Sequence, residues 1–149
     1  MTRVRVSADY DAPPDEVWRI LEPVESHIDW MADAESIRFV GEQTRGVGTA
    51  FDCVTRVGPI RLTDRMEIVE WEPERAMGVR HTGVVRGTGR FLLAPLDAGL
   101  RTRFTWDEEL TFPWWLAGRI GAAVGGRTVM VRIWRRNLER LRPLVERRP

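Results

Sequence analysis

Asp64, His81 and Glu108 are the residues of this 149-residue chain whose types and settings suit them to proton exchange. Asp64 stands in the alternation Ile60, Leu62, Asp64, Met66, Ile68, His81 follows Met77 and Val79 at the same period, and Glu108 follows Phe104 and Trp106. Successive side chains of a strand point to opposite faces, so each of the three is predicted to point inward with its apolar neighbours. A histidine and a carboxylate beside an interior space can serve as base and acid, with pKa values set by burial. The same groups can instead satisfy one another, because unpaired charge in a low-dielectric interior is costly. The sequence leaves both readings open. His81 is expected to be the interior group that titrates near neutrality. Thr55 and Thr102 add hydroxyls to the same face.

A fourth polar residue, Arg127, interrupts an apolar helical stripe. At 100° per residue Leu116, Ile120, Ala123, Met130, Val131, Trp134, Leu138, Leu141 and Val145 share one side of a predicted helix over 113–146. At 1.5 Å per residue that helix would span roughly 50 Å, enough to cross a small domain. Pro113 suits its first turn, and Pro143 weakens its last. Gly121, Gly125 and Gly126 leave space beside it instead of filling it. Arg127 is therefore expected to be the polar anchor of a pocket, holding a carboxylate, enolate or carbonyl oxygen of a ligand with a geometry that lysine could not copy. The competing expectation is a permanent ion pair with Asp64 or Glu108.

The elements that would position these residues are legible as strands and helices. Val4, Val6, Ala8 and Tyr10 alternate with polar residues, and Ala12-Pro13-Pro14 ends that strand. Asp15 and Glu16 favour a helix start, Val17, Ile20 and Leu21 give it a short apolar face, and Pro23 stops it. A second short helix is predicted through Ile28, Trp30 and Met31. Six further strands are predicted at 35–41, 48–57, 60–71, 76–82, 85–94 and 100–110, joined by tight Gly- and Pro-marked turns and so paired antiparallel. Their outer face carries Arg61, Arg65, Glu67, Arg80, Arg90, Arg103 and Asp107, a lattice of opposite charges with no catalytic meaning.

Ala12-Pro13-Pro14-Asp15-Glu16-Val17-Trp18, Trp30, Gly46-Val47-Gly48-Thr49 and Glu72-Pro73-Glu74-Arg75, in this order, resemble the helix-grip proteins of the SRPBCC superfamily. This is the START and polyketide-cyclase/lipid-transfer group, related in fold to the major birch pollen allergen. The likeness covers the full chain as one domain, 1–149. It implies an α+β helix-grip fold, in which a seven-stranded curved antiparallel sheet, two short helices and one long C-terminal helix enclose a cavity. Functions in the group range over lipid binding, ligand sensing and polyketide cyclisation. The expected function is binding of a hydrophobic small molecule, such as a lipid, polyketide or other ring compound, in a pocket of roughly 300 to 1,000 Å³. The alternative is a cyclase/dehydratase with Asp64, His81 and Glu108 as catalytic groups, and the weakest reading is a protein-interaction module. The expected ligand-binding wall is Arg127, Phe51, Cys53, Met66, Gly87, Gly89, Phe91, Phe104, Trp106, Ile120, Ala123 and Val131. Gly87 and Gly89 are expected to enlarge the pocket by removing two side chains from it.

Composition narrows the chemistry. Hydrophobic content of 43% with 30% charge is ordinary for a soluble globular protein, and no apolar run has the length of a membrane span. The N-terminus shows no secretory pattern, so a cytoplasmic protein without stable membrane insertion is expected. One cysteine and two histidines exclude an intramolecular disulfide and a cysteine-cluster zinc site, and no metal or cofactor is expected. All 23 basic residues are arginine, which excludes Schiff-base chemistry through lysine. Asp15, Glu25, Asp29 and Asp33 make the N-terminal quarter acidic, and Arg132, Arg135, Arg136 and Arg140 make the helix end basic, both read as solvated surface. No nucleic-acid motif accompanies that charge, and the net charge is +1, so no nucleic-acid partner is expected, while a homodimer is allowed. No serine has a nucleophile-elbow context, and the glycines of 83–89 open no helix that could cradle a phosphate.

Overall fold

In the computed structural model, which describes residues 1–115 and 127–146, the period-2 segments form seven strands. They are β1 (Thr2–Tyr10), β2 (Ala34–Val40), β3 (Ala50–Val57), β4 (Ile60–Glu72), β5 (Ala76–Thr82), β6 (Arg86–Leu96) and β7 (Arg101–Thr111). All pair antiparallel in the order β1-β7-β6-β5-β4-β3-β2, so β2 to β7 form the expected meander and β1 completes the sheet beside β7. Bulges between Ala34 and Ser36 and between Ile68 and Glu70 break the strict pairing. Such bulges bend a strand, which is how an open sheet acquires curvature.

The convex face carries the charge lattice. Arg3 pairs with Asp107 at 2.9 Å, Arg103 with Asp9 at 2.9 Å, Arg80 with Glu67 at 2.9 Å and Arg90 with Glu70 at 2.8 Å. The concave face carries the core, which includes Val4, Val6, Phe51, Ile68, Met77, Phe104 and Trp106.

Helix α1 (Pro14–Leu21) begins at the Pro-Pro pair and buries Val17, Trp18 and Leu21. The second short helix lies earlier than predicted and is a tighter 3-10 segment, Val24–Asp29, with Trp30 fully buried just beyond it and Ile28 exposed. The C-terminal helix, α2 (Arg127–Val145), keeps Pro143 within its last turn. Residues 116–126 lie outside the described residues, and with them Leu116, Ile120 and Ala123 of the predicted stripe. No helix among the described residues is long and apolar enough to cross a membrane.

Three contacts fix α2 against one end of the sheet. Tyr10 donates its hydroxyl hydrogen bond to the Leu138 carbonyl at 2.8 Å. The Arg142 guanidinium lies over the Tyr10 ring, 5.1 Å from its centroid, and donates to the Asp9 carbonyl at 3.0 Å. Trp134 stacks on Trp106 of β7 with centroids 4.3 Å apart and planes 4° from parallel. Asn137, fully buried, ties the helix to the segment before β2: it accepts from the Ala32 amide at 3.0 Å and donates to Asp33 Oδ1 at 2.8 Å.

Asn137 offered no signal beyond its place one turn after Trp134, yet its amide satisfies both a backbone donor and a partly buried carboxylate. Asn137→Ala is expected to cost about 1 to 3 kcal/mol, the range for leaving buried polar groups unpaired, as a lowered midpoint in urea denaturation. Tyr10→Phe, which removes one neutral hydrogen bond, is expected to cost about 1 kcal/mol in the same measurement.

Candidate functional site

A cavity of about 180 Å³ lies between the concave sheet face and α2. It is smaller than the expected pocket, because the aromatic cluster of Trp30, Phe91, Phe104, Trp106 and Trp134 packs ring against ring at the β7 end. Ile37, Phe51, Leu62, Met66, Val79 and Phe91 give its sheet wall, and Met130, Ile133 and Trp134 its helix wall. Cys53, Gly89 and Trp106 also line it, as predicted. Burial pushes the Cys53 thiol up to about 11, so it is a neutral wall group and not a nucleophile.

Asp64, His81 and Glu108 meet on this wall. Register explains how. His81 of β5 lies opposite Met66 of β4, which sets Asp64 two residues along the same face, and His81 Nδ1 hydrogen-bonds Asp64 Oδ2. Glu108 sits on β7, two strands from His81, with β6 between. The residue of β6 opposite Glu108 is Gly89, where a Cβ would fall 2.6 Å from Glu108 Oε1 and 2.7 Å from its Cγ. The missing side chain is thus the passage by which Glu108 crosses β6. Its Oε1 reaches 3.5 Å from His81 Nε2, an ionic contact without hydrogen-bond geometry, which leaves Nε2 and Asp64 Oδ1 without hydrogen-bond partners.

The glycines therefore act differently from expectation. Gly89 lines the cavity, but its space is taken by Glu108. Gly87 is not on the cavity wall; its φ of 138° and the 1.9 Å that would separate a Cβ from the Glu109 carbonyl show that it lets β6 approach β7.

Electrostatics corrects the role expected of His81. Burial alone disfavours the imidazolium, but the Asp64 hydrogen bond and the charges of Asp64 and Glu108 outweigh it and raise the pKa to about 10. At neutral pH His81 is a cation holding its proton. The other histidine has the opposite setting: His27, also on the wall, is buried and donates Nε2–H to the Leu21 carbonyl at 2.7 Å, and burial pushes its pKa down to about 4. Asp33, read from the sequence as solvated surface, lines the cavity too. Burial raises its pKa, the Asn137 hydrogen bond opposes that, and the Glu108 charge adds to it.

Three further expectations are corrected. Arg127 is exposed and lies in a shallow outer groove with Thr128, Arg132 and Arg135, so it anchors nothing in the cavity. The stripe of α2 that faces inward at this level is Met130, Ile133, Trp134 and Asn137, to one side of the line through Leu138, Leu141 and Val145 on which Arg127 falls. Val131 is half-buried but belongs to the same outer groove. Phe104 is fully buried among Tyr10, Trp30 and Phe91 and does not reach the cavity wall. Ile120 and Ala123 lie outside the described residues. Thr102 donates to the Ala12 carbonyl at 2.8 Å, a structural bond, whereas Thr55 lines the cavity.

A family model described as polyketide cyclase / dehydrase and lipid transport matches residues 1–146. The chain belongs to this family. Among solved structures it is similar to TTHA0849 from Thermus thermophilus, with 24% identity over 97% of both chains and a TM-score of 0.73. It is also similar to the Zhui aromatase/cyclase from Streptomyces sp. R1128, with 21% identity over 97% of this chain and 90% of that one and a TM-score of 0.69. A third likeness is to the KanY protein, with 11% identity over 98% of both chains and a TM-score of 0.76. At these identities the likeness is one of fold. No curated protein matches the chain in sequence.

Two histidines in opposite settings give a measurable pattern. Proton NMR titration of the imidazoles is expected to show one midpoint near 4 and one near 10, with neither ring changing charge between pH 6 and 8. Above pH 6.5 the folded protein keeps a His81 proton that the unfolded chain releases, so the stability this proton contributes declines as pH rises from 6.5 to about 10. His27 acts in the other direction: its contribution is present above 6.5 and is lost as pH falls towards 4. Gly89→Ala is expected to displace Glu108 and lower the upper midpoint while the fold is retained. An unmoved midpoint would show that Glu108 does not reach His81 through the glycine gap.

Proposed function

We propose that this protein binds one small, largely apolar molecule in the cavity between its sheet and C-terminal helix, for transport, sensing or sequestration. The observation that carries this reading is the cavity itself, a preformed space walled by aliphatic, methionine and aromatic side chains with a few convergent polar groups. Its size favours a ring compound over a two-chain lipid. A cavity of about 150 Å³ lined by apolar side chains admits a benzene ring, and 180 Å³ is of that order. Membership of a family described by both cyclisation and lipid transport supports a hydrophobic ligand without choosing between binding and chemistry.

Native mass spectrometry of the protein purified from its own host tests the reading. A retained apolar compound is expected on the wild type and not on Val79→Phe, which fills the cavity from the β5 side. Equal retention by both proteins would overturn it.

The second reading, a cyclase/dehydratase, is favoured by one observation: a protonated histidine held between two carboxylates on the cavity wall. In that reading the His81 Nε2–H polarises a carbonyl oxygen of a polyketide-like chain, and Glu108 accepts a proton from the carbon between two carbonyl groups. Carboxylate, not imidazole, is then the base. His81→Phe is expected to abolish turnover of such a chain while changing ligand affinity no more than a few-fold. Unchanged turnover would return His81 to a purely structural role.

A further inference from the structure

The charge on the cavity wall is one-sided. Asp33, Asp64 and Glu108 line it, and all three carboxylates act on the Cys53 thiol, which places their fields on one region. Against them, among the described residues, stands the imidazolium of His81, already engaged by Asp64 and Glu108. Arg90 also contributes to the wall, but its guanidinium is turned to the convex face, where it is forked onto Glu70 at 2.8 and 2.9 Å. With Arg127 in the outer groove, nothing among the described residues offers a free cation to a bound anion.

Three buried polar atoms of wall residues also lack partners, the Trp106 Nε1–H among them. His81 Nε2 and Asp64 Oδ1 make no hydrogen bond, although their side chains are 6% and 9% exposed. Glu108 accepts no hydrogen bond from any described residue and touches His81 Nε2 only at 3.5 Å. Its carboxylate is the wall's open acceptor, and the Glu108 charge also helps to raise the Asp33 carboxyl, a repulsion that an added positive charge would relieve. The surrounding surface is partly aromatic: Phe51, Phe91, Trp106 and Trp134 line the same space. Ring faces attract organic cations as well as packing against apolar groups.

We infer that the cavity takes a protonated amine carried on a single ring, with the ammonium seated against Glu108 and the ring packed among Phe91, Trp106 and Trp134. This rests on the reading that the cavity holds a small apolar molecule and specifies the charge of that molecule. It replaces the carboxylate, enolate or carbonyl oxygen expected at Arg127 with an ammonium. Carboxylates are disfavoured by the same field, since the one described cation on this wall, the His81 imidazolium, already stands between Asp64 and Glu108.

A matched set of three probes tests the inference by isothermal titration calorimetry at pH 7: 2-phenylethylamine, 2-phenylethanol and 3-phenylpropanoate. They share a ring and an ethylene spacer and differ in the charge of the end group. The amine is expected to bind at least about tenfold more tightly than the alcohol, equivalent to about 1.4 kcal/mol, and the carboxylate to bind most weakly. Glu108→Gln should remove most of the amine's advantage over the alcohol. Asp33→Asn provides a second variant should Glu108→Gln not fold, with the same direction expected. Equal affinities for amine and alcohol, a preference for the carboxylate, or an amine advantage untouched in both variants would overturn the inference while leaving the cavity-binding reading intact. If none of the three binds, this inference falls, and the retained-ligand measurement on wild type and Val79→Phe decides the cavity reading independently.

Discussion

The stacking of Trp134 on Trp106, together with the Tyr10 hydrogen bond to the Leu138 carbonyl, decides where the C-terminal helix can lie, and the rest of the interior follows from that position. Each contact is modest: an aromatic pair adds about 1 kcal/mol beyond the area it buries, and a neutral hydrogen bond a similar amount. They act, however, at adjacent turns of α2 and on adjacent strands, β1 and β7, so translation or rotation of the helix would break both. With the helix committed to that end, Leu138, Leu141 and Val145 complete a solid core there. The concave surface of β3 to β5 faces a space that side chains only partly fill. Core and cavity are two results of one asymmetric placement.

Polar chemistry in that space is held largely by mutual pairing, with His81 Nε2 and Asp64 Oδ1 left over. Placing three carboxylates and two histidines near apolar walls is expensive unless each charge finds a counter-charge or a hydrogen bond. Asp64 and Glu108 flank one imidazolium, Asp33 leans on the Asn137 amide, and His27 stays neutral on a backbone carbonyl. His81 is consequently a stored proton and not a sensor of neutral pH. Proteins that share this fold at 11 to 24% identity need not share the arrangement, since it depends on particular residues at strand positions that the fold leaves free.

How much of this could be read from the residues follows from the physics of each element. Strand periodicity is strict, so the inward orientation of Asp64, His81 and Glu108 was legible, as were the seven strands and the charged convex face. Their meeting was not legible, because period 2 assigns a face but says nothing of register between strands, and the Gly89 passage exists only across β6 and β7 together. The helix was harder. Periodicity at 100° per residue gives direction around the axis, yet not how far along the axis the sheet extends or how the buried stripe turns, so Arg127 was placed inside although it belongs to the outer groove, and Val131 packs against the core without reaching the cavity wall. Asp33 and Asn137 were missed for a different reason: a lone acid among many acids, and a lone amide on a helix, carry no sign of the partner that buries them.

The convex lattice bears on the interior in one further way. Every cation in it is a guanidinium, which stays charged in water at any pH a folded protein survives, whereas ammonium groups begin to neutralise in mildly alkaline solution. Raising the pH therefore leaves the outer shell electrically unchanged while the proton shared inside the cavity is withdrawn. Alkali acts on this molecule from within, as an added negative charge on the cavity wall, beneath an exterior that does not register the change.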